Sequence, residues 1–340
     1  MKARKYLILV SLFLSTSLLA QPGPNDVFVR VADTGAALCC VVRMPGNHYM
    51  VYDAGNWTGG GALAFSKVQE IIPANSDIEL LVLSHSDGDH LGAVDEICTS
   101  YNVRRVLWPG YVRDSATWED ANDAITDERD NHGCIEINLR TCEFPMGATY
   151  RFGDVFVTMV CGFHRPPAEW GSLSQAEERN AGSIVVRLIY AGRSVLFGGD
   201  AVGRHSGDLA NTCIATEDFM VDNSAVIPID SDVLIAPHHG ADNASSTRFI
   251  QAVSPQYVIF SAGHNYEHPR ATTAQRYLAY GVPLANMFRT DLGDDESSPG
   301  QTDTEWDYGR VSGQHDPTGD DDVDILVTPT GTITVQYRNP

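Results

Sequence analysis

Apolar strand-like runs in this chain end abruptly in side chains that bind metals, and this pattern limits the possible folds more than any other feature. The clearest case is Glu79–Leu83, which runs directly into Ser84-His85-Ser86-Asp87-Gly88-Asp89-His90. Four metal-capable side chains thus lie within six residues at the exit of a buried strand. His and Asp packed this closely must be solvated, paired or coordinated. Imidazole nitrogen and carboxylate oxygen together suit divalent ions, and the i, i+2, i+4, i+5 spacing can serve two adjacent ions. Ser194–Phe197 leads in the same way to Gly198-Gly199-Asp200, although a Gly-Gly-Asp turn on its own is common. Val233–Ala236 leads to Pro237-His238-His239-Gly240, where adjacent histidines point in different directions and one of the two is expected to bind metal. A fourth set, His264-Asn265-Tyr266-Glu267-His268-Pro269, follows the strand Tyr257–Ser261.

Around these strand ends the chain reads as meandering strands followed by strand–helix alternation, once in each half. Val27–Ala32, Leu38–Arg43 and Tyr49–Asp53 are β-rich runs, and Ala62–Ile72 has helical spacing and stops at Pro73. Leu91–Cys98 reads as a helix and Val103–Trp108 as a strand, after which residues 111–147 are polar and read as an excursion. Tyr150–Arg151 and Val155–Val160 return to strands, and Ile184–Tyr190 with Ser194–Phe197 form a hairpin. Helices are expected at Thr247–Val253 and Thr272–Tyr280, and a closing hairpin at Val323–Val327 and Ile333–Tyr337. This order implies an α/β protein with two sheets packed together and helices outside. Residues 291–322 carry eleven acids and one Arg310, and are expected to form a solvated, mobile loop. Their spacing does not match an EF-hand.

Residues 1–20 have a basic start (Lys2, Arg4, Lys5), an apolar run from Tyr6 to Ala20 and then Gln21-Pro22-Gly23-Pro24, the layout of a cleaved secretory signal. The run is short for a membrane span, which needs about 20 residues. The expectation is one exported domain over 21–340 with no stable membrane span after cleavage. Of the seven cysteines, Cys134 and Cys142 bracket a short polar stretch and are the candidate disulfide; several others read equally well as small buried residues. With 23 basic against 44 acidic residues the net charge is −21, which speaks against holding nucleic acid on a broad basic surface. It leaves open an enzyme that grips an anion through metal ions.

Taken together these segments resemble the metallo-β-lactamase fold superfamily, an αββα sandwich, and within it the branch that includes the soluble domain of the competence protein ComEC. Tyr52-Asp53-Ala54-Gly55 looks like the family's early Asp-x-Gly strand end, and His85-x-Asp87-x-Asp89-His90 like its main metal motif. Asn180-Ala181-Gly182-Ser183, Phe197-Gly198-Gly199-Asp200, His238-His239-Gly240, His264–Pro269 and Arg289-Thr290-Asp291 look like the rest of the series. The common motif has His where this chain has Asp87. Asn180 stands where a third-motif His is usual, and His164 is a distant alternative.

The resemblance implies a hydrolase with two divalent metal ions, zinc or manganese, that activate water as the nucleophile. The implied ligands are His85, Asp87, Asp89, His90, Asp200 and His238, with Asp200 bridging. Asp89 and His268 are the implied catalytic groups, Asp89 orienting the nucleophile and His268 protonating the leaving oxygen. Asn180, Ser183, His239, His264 and Asn265 are candidate substrate contacts. Asp53 is expected to hold a ligand histidine in its tautomer, with a turn cap as the plainer alternative. The branch implies a phosphodiesterase or nuclease, with DNA among its possible substrates. The alternatives are a hydrolase of a lactone or other envelope ester and, third, a non-enzymatic binding protein; no protein partner is implied.

Overall fold

A computed structural model describes residues 21–57, 60–143, 146–263, 266–293, 304–309 and 319–338. Strict alternation along the strands builds two apolar faces on each sheet. Cys40, Val42, Met50, Tyr52, Leu80 and Val82 point to one side, and Cys39, Val41, Val51, Leu81 and Leu83 to the other. In the second half Val195, Phe197, Val233, Ile235 and Ile259 share one side, and Leu196, Leu234, Val258 and Phe260 the other. The first sides of the two sheets meet in one core. The outer sides are covered by helices: Ala62–Ile71, Val94–Ser100 and Ala116–Asn131 on the first sheet, Thr247–Val253 and Ala271–Ala279 on the second. The result is the expected four-layer α/β arrangement.

The first sheet has eight strands in the order Ile333–Tyr337, Val323–Val327, Val27–Val31, Cys39–Met44, His48–Ala54, Leu80–Val82, Arg105–Trp108, Ile135–Asn138. The second has seven, in the order Met287–Arg289, Tyr257–Phe260, Val233–Ile235, Arg193–Phe197, Val185–Tyr190, Val155–Cys161, Thr149–Phe152. Both sheets are mixed. His48–Ala54, Leu80–Val82 and Arg105–Trp108 run parallel in the first, and Arg193–Phe197, Val233–Ile235 and Tyr257–Phe260 in the second. Parallel neighbours end on the same side, so the loops after five of these strands gather at one rim, where open α/β sheets bind ligands.

Four expectations need correction. Residues 111–147 are no mere excursion, because they contain the helix Ala116–Asn131 and the strand Ile135–Asn138, which pairs in parallel with Arg105–Trp108. Ser115 caps that helix by accepting the Trp118 N–H at 3.3 Å, and Trp118, Ala121 and Ile125 form its inward stripe. The helix expected over Leu91–Cys98 is two short ones, Gly88–Leu91 and Val94–Ser100.

Cys134 and Cys142 are both free. Cys134 is buried in the core under the helices, whereas Cys142 is exposed and its thiol donates to the Asn138 carbonyl at 3.1 Å. The four-residue strand Ile135–Asn138 separates them. At about 3.3 Å per residue this puts roughly 13 Å between them, well past the ~7 Å that a disulfide spans. The acidic stretch 291–322 is anchored at three of its acids, while Asp307 and Asp320 are exposed as expected and residues 294–303 and 310–318 lie outside the described residues. Asp291 and Glu305 are buried against Arg289, and Asp322 against Lys67 and Arg30. A buried carboxyl group needs polar partners, and here a fixed cation meets each one.

Candidate metal centre

Asp53 organises the site. Its backbone lies in the left-handed region, φ 54°, at the end of His48–Ala54, and its carboxylate is fully buried. One oxygen accepts the Ser84 N–H at 2.6 Å; the other accepts the Ser84 hydroxyl at 2.7 Å and His90 Nδ1–H at 2.8 Å. This fixes the ring of His90 with its Nε2 facing the cleft. Gly55 follows because the Asp89 backbone packs directly on it: a Cβ there would lie 1.7 Å from the Asp89 carbonyl oxygen.

The other rings are pinned in the same manner. His85 Nδ1 meets the Ser84 hydroxyl at 3.0 Å, and His239 Nδ1 donates to the Ser261 carbonyl at 2.6 Å. His238 and His239 both have left-handed backbones, φ 50° and 55°. Two such residues in a row are strained, and the turn throws the two rings apart. His239 Nε2 comes within 3.3 Å of His90 Nε2, 3.6 Å of Asp200 Oδ1 and 3.8 Å of Asp89 Oδ2. His90 Nε2 lies 3.2 Å from Asp200 Oδ1, and His85 Nε2 lies 3.6 Å from Asp200 Oδ2. Among the described residues two groups of three potential metal donors result: His85, His90 and Asp200, and Asp89, His90 and His239.

These donors fit a divalent ion. Four ligands at about 2.0–2.2 Å in a tetrahedron stand about 3.3–3.6 Å apart; the measured spacings of 3.2, 3.3, 3.6 and 3.8 Å bracket that range. His85 Nε2 and Asp200 Oδ1 are buried with no hydrogen-bond partner, which is costly unless a cation satisfies them. The electrostatics agree. Burial works against ionising Asp200, but His90, His238, His239 and His85 around it outweigh burial and hold its pKa well below the usual range. Burial also disfavours the charged form of His90, yet Asp200 and Asp53 on either side raise its pKa well above normal. Two carboxylates thus demand positive charge at His90 Nε2. His85 and His239 are pushed down by burial and so keep the neutral ring that ligates.

Other expected site residues fall differently. His239, expected as a substrate contact, joins the donors, whereas His238, expected as a ligand, does not. His238 Nε2 lies 3.7 Å from Asp200 Oδ2, but it already accepts from Asn180 Nδ2 at 3.2 Å, and Nδ1 meets Asn243 Oδ1 at 2.6 Å. Ser183 is no substrate contact, because it is fully buried and its hydroxyl accepts the Asp200 N–H at 3.0 Å. Asn180 lines the cleft from the helix Gln175–Ala181, opened by a Ser174/Glu177 capping box. Asp87 is outside both donor groups. It is bound by Arg179 at 2.6 and 3.3 Å and by Arg113 at 3.0 Å. His164 is remote, bonded through Nδ1 to the Pro109 carbonyl.

His268 lines the cleft and stacks on His239, centroids 6.3 Å apart at 10°. Burial, with His238, His239 and Arg270 nearby, drives its pKa well below normal, so the ring is neutral, which suits an acceptor better than the expected proton donor. His264 and Asn265 lie outside the described residues. Arg113, Arg179 and Asn243 escaped the sequence reading, since none sits in a dense motif. The cleft has a volume of about 580 Å³, and its outer wall carries Asp95, Glu96 and Asp120 beside Trp57 and Tyr266.

Comparison with known proteins agrees with this geometry. The family model described as "Metallo-beta-lactamase superfamily" matches residues 32–264. The chain is similar to competence protein ComA of Neisseria gonorrhoeae, 26% identical over 280 residues, covering 79% of this chain and 31% of the relative. It is also similar to ComE operon protein 3 of Bacillus subtilis, 24% identical over 218 residues, covering 63% of this chain and 24% of the relative. The chain therefore spans only about a third or less of the length of the curated relatives it matches. Among solved structures it is similar to the metallo-β-lactamase fold protein YhfI of Bacillus subtilis, at 11% identity and a TM-score of 0.45, covering 77% of this chain and 95% of that one. The family model covers more than half the sequence and coincides with the sandwich and its rim of metal donors, so the chain belongs to the metallo-β-lactamase superfamily.

Proposed function

We propose that this protein is an exported, metal-dependent phosphodiesterase. The observation that carries the reading is the convergence of three pinned imidazoles, their Nε2 atoms turned toward the ionised Asp200 carboxylate, inside a cleft. Asp89, His90, His239 and Asp200, with His85 adjacent, would hold divalent metal; bound there, zinc or manganese supplies Lewis acidity and activates water at neutral pH. The chain's own groups do the rest. Asp53 and Ser261 keep His90 and His239 in the ligating tautomer. Ser183 fixes the backbone of Asp200. His268, neutral and on the cleft wall, is placed to accept a hydrogen bond from substrate. Arg113 presents positive charge at the cleft.

The phosphodiester is favoured by the likeness to competence proteins. Export rests on the signal-like residues 1–20. Among the described residues no helix is long and apolar enough to cross a membrane. One observation favours a second reading, the hydrolysis of a small neutral ester or lactone: Asp95, Glu96 and Asp120 make the outer wall acidic, which a long polyanion would meet as repulsion. The deciding experiment compares kcat/KM for an aryl phosphodiester with that for a lactone on one metal-loaded preparation. Faster lactone turnover, lost in Asp200→Ala, would replace the first reading by the second.

A further inference from the structure

The two donor groups share one atom, His90 Nε2. Its ring partner Nδ1 is bound to Asp53, so this nitrogen has a single lone pair to offer. The groups therefore cannot be filled as two independent sites. On one side His90 Nε2, His239 Nε2 and Asp200 Oδ1 stand 3.2, 3.3 and 3.6 Å from one another, with Asp89 Oδ2 3.8 Å from His239 Nε2. On the other side, among the described residues, His85 Nε2 and Asp200 Oδ2 stand 3.6 Å apart, and His238 Nε2, 3.7 Å from Asp200 Oδ2, already accepts from Asn180 Nδ2. His238 has both nitrogens occupied. Both oxygens of Asp87 are engaged by Arg179, and one of them also by Arg113. A carboxylate held by two guanidinium groups is a poor competitor for a cation, because its charge is already met and its oxygens are already bonded.

We propose that the chain holds one divalent ion tightly, on Asp89, His90, His239 and Asp200, and that Asp87 anchors Arg113 and Arg179 beside it in place of a second ion. The inference rests on the reading that the centre binds metal, and it changes what the family resemblance implies for Asp87. Asp87 is a positioning residue for two fixed cations. The substitutions at positions 87 and 180 then belong together: losing two imidazoles from one half of the centre leaves it too poor in donors for an ion, and the arginines restore its positive charge.

The test is a metal count on the full-length protein, loaded with Mn(II) or Zn(II), desalted and subjected to elemental analysis, with calorimetry for affinity. Wild type should retain one ion per chain. Asp87→Asn should also retain one, with affinity within about threefold of wild type, while His239→Ala should lose at least about tenfold in affinity, as expected for a ligand set that is broken. Arg113→Ala combined with Arg179→Ala frees Asp87 and should admit a second, weaker ion. Two ions in wild type falling to one in Asp87→Asn would overturn the proposal, as would a double arginine variant that still holds one. Should Asp87→Asn fail to fold, the wild-type count and the double variant still decide. The count reads no turnover, so a one-ion protein that hydrolyses lactones keeps this inference and loses the phosphodiester reading. Wild type with no ion at all would remove the metal reading itself.

Discussion

The molecule buries two dense clusters of charge, and they are built on opposite plans. At one edge of the first sheet Arg30 binds Asp324 through two bonds of 2.7 and 2.9 Å, and Lys67 donates to Asp322 at 2.8 Å. Arg30 also reaches Glu70 at 2.8 Å, and Asp33 accepts backbone N–H groups from Gly319 and Asp320. Every carboxylate there meets a fixed cation or an amide of the same chain. At the rim of the sheets, Asp200 faces imidazoles and a long contact of 3.5 Å from the Asn180 amide, Asp89 faces His239, and buried polar atoms of His85, Asn180 and Asp200 are left without partners. A closed charge cluster is mortar: it ties the chain end to the first sheet and asks for nothing from outside. An open one is a site, because its unmet polarity can be satisfied only by something that binds.

The sharpest way to break this contrast is to remove the acids one at a time. Asp200→Ala should lower hydrolysis by at least about 10²-fold, since it removes a residue that would hold the metal and with it the Lewis acidity the metal would supply, and should leave the melting temperature of the metal-free protein nearly unchanged. A chelator should abolish activity, and Mn(II) or Zn(II) restore it. Asp322→Ala should do the reverse. It strands Lys67 and weakens Arg30, so urea denaturation should show a loss of about 3–5 kcal/mol, the cost of breaking a buried pair. Metal affinity in the folded fraction should hold. If Asp322→Ala lost metal while keeping its stability, the distinction between mortar and site would fall.

These clusters were not equally legible in the sequence. The site announced itself because His85, Asp87, Asp89 and His90 are adjacent along the chain, and the strand ahead of them is plainly apolar. The clamp could not be seen, since Arg30, Lys67 and Asp322 are joined only by folding. The stretch 291–322 looked like solvated acid because composition counts charges and not their partners. Within the site, sequence could say that one of His238 and His239 ligates, but not which. The choice is made by two left-handed backbones and by Asn180, twenty residues before Asp200, which takes up the lone pair of His238. The helix Ala116–Asn131 was missed because its apolar stripe is narrow: Trp118, Ala121 and Ile125 among many charges. The pairing of Cys134 with Cys142 failed because closeness in sequence ignored the strand between them.

A third buried acid, Glu217, sharpens the comparison through pH. It is fully buried and accepts the N–H groups of Ser245 and Ser246, the latter at 2.8 Å. Burial pushes its pKa up to about 7 despite these bonds and nearby Arg276. The folded state therefore binds a proton that the unfolded chain has released above about pH 4.5. Its contribution to stability is fully present below that pH and is lost as pH rises through about 7, by at most about 3 kcal/mol. Denaturation midpoints should fall across this window. In Glu217→Gln the fall should be shallower, although the variant is less stable overall, since one backbone amide loses its acceptor. Equal slopes in the two proteins would mean that Glu217 is ionised throughout and belongs with the closed cluster.

The smallest effect concerns the outer wall of the cleft, where Asp95, Glu96 and Asp120 meet no guanidinium partner among the described residues, unlike Asp87. Burial, with Asp95 and Asp120 nearby, lifts Glu96 to about 7, as expected where like charges crowd. With a net charge of −21, an approaching anion meets repulsion before it meets the centre. Raising ionic strength from about 0.01 to about 0.15 M shortens the screening length from about 30 to about 8 Å. That removes the repulsion at the mouth but leaves contacts inside the cleft largely intact. For a short phosphodiester, kcat/KM should therefore rise severalfold with salt while kcat stays flat, because only the encounter is affected. A neutral lactone should show no such slope. Asp120→Asn should raise the low-salt value and flatten the rise, since it removes one of the charges that salt would otherwise screen. A kcat/KM that falls with salt would mean that anions are drawn in by local positive charge, and Arg113 at the cleft would then outweigh the acidic wall.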